Sequence, residues 1–227
     1  MAAATKRAVS PILLNIISTV AIIIPIVANG LILNTAGLRL RLFFVFLLIG
    51  LSVDLLGWYY SSHPEIESFL LYCSVWYSIV EAVFFVWLIT SYRQRPAVRR
   101  LRNFVMFVTM VWSVYLLYKG VRITGVVSHA SVFDVFYQVA VSFFAGFTLL
   151  YMAETEERLT SLPFFWIFTG IFFYCFSTFF VFVMKRTVDH AIAKELWRVH
   201  NVCNIITYLF YTVGFIRFYK SGPRDVR

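Results

Sequence analysis

A chain of 227 residues that is 61% apolar carries more hydrophobic surface than a soluble domain, which holds about 45–50%. Its net charge of +9 sits in short stretches between long apolar runs, so no segment is left to form a nucleic-acid-binding module. Short basic loops beside apolar runs are instead what membrane topology and anionic headgroups produce.

Seven runs are long enough to cross hydrocarbon as helices, which takes about 20 residues each. The first, Pro11–Leu33, is too long for a signal-peptide core and no small-residue cleavage pattern follows it, so it is read as a retained span. It contains Pro25. The second, Leu42–Tyr60, holds Asp54 in the stretch IGLSVDLLGW. In the third, Ile66–Thr90, the residues Ser74, Tyr77, Ser78 and Glu81 fall on one helical face. The fourth, Leu101–Lys119, follows the basic connection SYRQRPAVRRLR. The fifth, Ser131–Tyr151, spaces Asp134, Gln138 and Ser142 by four. The sixth is Pro163–Met184, and the seventh, Leu196–Tyr219, carries a stripe of His200, Asn204, Tyr208 and Tyr211 with Asn201 beside it.

These runs are continuous and lack the alternation of barrel strands. Helices satisfy every backbone group internally, as hydrocarbon demands. The expected fold is all-α: a polytopic membrane helix bundle of seven transmembrane helices forming one domain over residues 1–227. Trp58, Tyr59, Tyr60, Tyr92, Trp197 and Tyr219 sit near span ends, where amphipathic rings suit the interface with membrane lipid. With the N-terminus outside, twelve Lys and Arg residues fall on the cytoplasmic side and eight outside. The excess comes chiefly from Arg93, Arg95, Arg99, Arg100 and Arg102, and it points to N-out/C-in. Lys6 and Arg7 argue the other way.

Ionisable groups within hydrocarbon are costly and face the bundle interior, so each is a functional lead. Three spans carry polar seams that lipid would reject, and turning those seams toward one another defines the expected ligand-binding set. It comprises Asp54, Tyr77, Glu81, Asp134, Gln138, His200, Asn204 and Tyr208. Such a cluster serves either as an interhelical hydrogen-bond network or as a pocket for a small polar ligand or proton. Glu81 favours the second use, because Ser or Asn would hold helices together at lower cost than a carboxyl near mid-membrane.

Enzyme chemistry is not expected. The last span has no Lys for a retinal Schiff base, and neither a Gly-rich phosphate loop nor G-x-S-x-G occurs. The four His residues (63, 129, 190 and 200) include no HxxxH or HExxH pair for a zinc site. Cys73, Cys175 and Cys203 make neither a paired disulfide framework nor a metal knuckle. No cofactor or metal is therefore expected. A receptor-like bundle that binds a ligand and acts on a signalling partner is the leading reading. A transporter or channel using an intramembrane carboxylate is the alternative, weakened by the lack of an internal repeat.

The stretches FFWIFTGIFFYCFSTFFVF and LWRVHNVCNIITYLFYTVGF resemble the last spans of bacterial seven-span membrane modules associated with sensor histidine kinases. Trp197, His200, Asn204, Tyr211, Gly214 and Phe215 carry the likeness in the seventh span. In the sixth it rests on Phe165, Trp166, Gly170, Tyr174, Ser177 and Phe180. The first five spans match only generically. The resemblance implies a sensor subunit of the bacterial inner membrane that works with a separate kinase, and it implies no particular ligand.

Overall fold

The computed structural model describes residues 11–61, 67–92, 96–120, 126–185, 188 and 190–221. Among them all regular structure is helical. His63 and the basic residues Lys6, Arg7, Arg93 and Arg95 lie outside the described residues, as do the side chains of His129 and His190.

The first apolar run is not one continuous helix. Helix α1 (Pro11–Ala21) and helix α2 (Ile23–Gly30) meet at Ile22. Pro25 has no N–H to offer the carbonyl of Ala21 and its ring crowds that oxygen, which breaks the ladder there. The ladder resumes where Ile26 N–H donates to the Ile22 carbonyl at 3.3 Å. The buried Asn29 side chain then donates to the Leu40 carbonyl at 3.0 Å, tying α2 to the start of α3 (Leu38–Ser61). Removing that bond in Asn29→Ala is expected to cost about 0.6–1.5 kcal/mol. It should read as a lower Tm in nanodiscs, and an unchanged Tm would show that the tie contributes nothing.

Helix α3 begins before the expected Leu42 because Arg39 finds partners at the helix end. Its guanidinium donates to the Ser91 carbonyl at 2.8 Å, within α4 (Glu67–Tyr92). The same group lies 5.9 Å from the ring centre of Phe164. Helix α5 (Pro96–Gly120) and helix α7 (Pro163–Lys185) both open on proline, whose missing N–H costs nothing in a first turn. Between them run α6 (Val126–Thr155) and a short 3-10 turn at Leu159–Ser161. Helix α8 (His190–Ser221) starts two turns earlier than the apolar pattern indicates. Its first turns carry charged residues and include the Glu195–Arg198 ion pair at 2.6 Å.

Six helical stretches are long and apolar enough to cross a membrane: Leu13–Gly30, Leu38–Tyr59, Tyr72–Tyr92, Val132–Thr155, Pro163–Met184 and Glu195–Ser221. This is an integral membrane protein. The fourth expected span lies on the helix α5, which is not among the six. The outer faces are largely apolar. Phe104, Phe107, Met110 and Val114 of α5 are exposed, as are Phe143, Phe147 and Leu150 of α6. Water would not tolerate so broad a surface, whereas lipid solvates it.

Inside, aromatic rings fill the middle of the bundle. Phe43, fully buried, makes edge contacts with Phe84, Tyr211 and Phe215 at centroid distances of 5.4, 4.9 and 5.5 Å. Phe46 stacks on Phe84 at 4.7 Å and Tyr77 at 5.9 Å. On α7 and α8, Gly170 packs against Tyr211 and Gly214 against Ile167 with no room for a Cβ. Small residues at such crossings are how membrane helices gain close packing without a hydrophobic driving force.

Candidate functional site

A cavity of about 690 Å³ opens between α1, α3, α4, α7 and α8, above that aromatic layer. Residues from the start of α1, the end of α3 and the starts of α4 and α8 meet at one end of it. Asn15, Trp58, Leu70 and Trp197 line the cavity toward that end. Phe46, Phe85 and Tyr211 line it toward mid-bundle.

Each wall follows from helical spacing. On α3, Gly50, Asp54, Gly57 and Trp58 fall on one face. Gly50 leaves room for a neighbour, because a Cβ there would stand 3.2 Å from the Tyr77 hydroxyl. On α4, Ser74, Tyr77 and Glu81 project inward together, as their spacing predicts. On α8, His200, Asn204, Tyr208 and Tyr211 form one wall, with Asn201 and Thr207 beside them.

Glu81 is the deepest carboxyl, only 3% exposed. Tyr137 of α6 donates its hydroxyl to Glu81 Oε2 at 2.5 Å, and the Tyr174 hydroxyl of α7 approaches the same group. The carboxyl thus ties α4 to α6. His200 is buried between Thr178 Oγ1, 3.4 Å from Nδ1, and Asn204 Nδ2, 3.3 Å from Nε2. Asn204 as a donor fits Nε2 as acceptor, which leaves Nδ1–H to donate to Thr178. Two polar atoms in the wall, Asn204 Oδ1 and Thr207 Oγ1, are buried with no hydrogen-bond partner. Buried polar atoms are rarely left so, and these two belong to residues that line a cavity.

Of the residues singled out in the sequence, Asp54, Tyr77, Glu81, His200, Asn204 and Tyr208 come together around this cavity. Asp134 and Gln138 do not line it. They lie on α6, where Asp134 is close enough to Glu81 to interact electrostatically. Gln138 is fully buried with both amide atoms lacking a hydrogen-bond partner. The sequence reading passed over α1, where Asn15, Ser18 and Thr19 supply part of the wall. Asn15 accepts a hydrogen bond from Asn201. Their spacing of three and one is the same one-face signal that marked α4, so it was available. Tyr174 and Thr178, four apart on α7, were missed because their span is otherwise almost wholly aromatic and aliphatic.

Among the described residues no group of three or more His, Cys, Asp or Glu is arranged to hold a metal ion. Compared with family models, curated proteins and solved structures, the chain matches none.

Proposed function

We propose that this chain is a receptor-like membrane protein that binds a small polar ligand in the cavity and passes a conformational change to a partner. The observation that carries the reading is a polar-walled cavity ending on a buried carboxyl that is itself bonded to α6. A ligand that engages Glu81 competes with Tyr137 for it, and so shifts α4 against α6. His200 offers a second route, because its bond to Thr178 links the α8 wall to α7.

In this reading α5 is the seventh span. Its 25 residues measure roughly 37 Å at helical rise, more than the hydrocarbon thickness, and its outer face is apolar. The basic bias of the α4–α5 connection supports N-out/C-in, which makes the cavity an outward-facing one. The partner docks on the cytoplasmic side. The resemblance of α7 and α8 to kinase-associated modules favours a histidine kinase in a bacterial inner membrane.

Transport is the second reading, favoured by the helix break at Ile22, a residue that lines the cavity. Broken helices beside a mid-membrane site are a feature of transporters. Proteoliposomes decide between them. A receptor gives no proton or solute flux above that of empty vesicles, even where added solute raises the protein's Tm. Saturable flux would replace the receptor with a transporter.

A further inference from the structure

The cavity chemistry narrows the ligand class, in an inference that rests on the cavity being a ligand site. Its lining includes two carboxyls, Asp54 and Glu81, and not one Lys or Arg. Asp54 is engaged by no hydrogen bond or ion pair among the described residues. A carboxylate inside a membrane bundle needs a counter-charge or a full set of donors. Glu81 has the Tyr137 hydroxyl as donor; among the described residues Asp54 has neither a donor nor a counter-charge.

Aromatic rings make up part of the remaining wall. Trp58 and Trp197 flank the end of the cavity near Asp54, while Tyr77, Tyr208 and Tyr211 lie deeper. Aromatic faces attract cations, most strongly where water is excluded, and cages of such rings are used to hold ammonium groups. A volume of about 690 Å³ exceeds what an ammonium head needs and leaves space for an apolar body. An anionic ligand would meet two carboxyls and, among the described lining residues, no Lys or Arg to offset them. A neutral ligand would leave Asp54 unpaired.

We infer that the cavity takes a small organic cation, an amine or quaternary ammonium with an apolar or aromatic body, whose charge is held at Asp54 between aromatic walls. Glu81 then receives the body's polar end or a second donor, and the unpartnered Asn204 Oδ1 and Thr207 Oγ1 complete the deeper contacts.

The test is equilibrium dialysis of the full chain in zwitterionic nanodiscs, with empty nanodiscs as reference. The probes are 2-phenylethylammonium, its near-isostere 2-phenylethanol, and 3-phenylpropionate. The cation is expected to bind about tenfold or more tightly than the alcohol, and the anion not at all. Asp54→Asn should erase the preference for the cation over the alcohol, and Asp54→Glu should retain most of it. Equal binding of cation and alcohol, an unchanged preference in Asp54→Asn, or binding of the anion would overturn the cation assignment while leaving a ligand cavity in place. Binding of none of the three probes would overturn both the assignment and the ligand-site reading beneath it.

Discussion

Replacing Glu81 by Ala should be the most damaging change at the cavity, while Glu81→Gln should spare the fold and lose the function. In Glu81→Ala the Tyr137 hydroxyl loses its acceptor inside the bundle, and the void left by the side chain merges with the cavity. A buried hydroxyl left without a partner costs about 1–3 kcal/mol, so a clear fall in Tm is expected in nanodiscs. Gln keeps the length of the side chain and an oxygen to accept from Tyr137, so its Tm should stay near that of the parent. It removes the charge that a ligand or proton would meet, and the ligand-induced rise in Tm should fall about tenfold or more in apparent affinity. Should Glu81→Gln respond to ligand as the parent does, Glu81 is structural only and the α4–α6 route falls with it.

The second large effect is expected at the α7–α8 crossing. A Cβ added at Gly214 would stand 2.7 Å from Ile167 Cγ1 and 2.9 Å from the Pro163 carbonyl oxygen. The carbonyl belongs to a helix backbone and cannot swing aside as a side-chain tip can. Gly214→Leu should therefore force the helices apart at a cost of about 1–3 kcal/mol or more. At Gly170 the neighbours are the Tyr211 ring at 2.7 Å and the Phe210 Cβ at 3.1 Å. Gly170→Ala should thus displace a wall of the cavity as well as a packing contact. The measurement is Tm together with ligand affinity. Gly214→Leu should lower chiefly the first, and Gly170→Ala should lower both. A Gly214→Leu protein as stable as the parent would mean that the two helices are not held at this distance in the bilayer.

The helices and the inward seams of α4 and α8 were legible because two strong signals coincide. Apolar length marks a span, and polar residues spaced by three and four mark its inner face. Tyr77 and Glu81 on α4 and His200, Asn204 and Tyr208 on α8 are placed by those rules alone. The break at Ile22 was less legible, since Pro25 often sits within a membrane helix without dividing it. The beginning of α8 was hidden because charged turns outside hydrocarbon leave no apolar trace. Asp134 and Gln138 follow the same spacing as the cavity residues yet lie outside the wall. Spacing fixes which face of a helix is polar, but it does not choose the neighbour that face meets. That choice depends on bundle geometry, here on α6 standing behind Glu81.

Arg39 has a mechanical meaning. It bonds α3 to the last turn of α4 and covers Phe164 in the first turn of α7, so three helices are stapled together at the end of the bundle opposite Trp58 and Trp197. Such a bundle works like tongs. If ligand binding widened the far end, as the receptor reading requires, the Arg39 contacts would resist spreading here and favour tilting of the helices instead. Helix α6 is not part of that staple; it packs on α7 and α4, so in the receptor reading release of Tyr137 would shift it against those neighbours. A partner on the stapled side would therefore sense the angle of a helix and not the width of a gap.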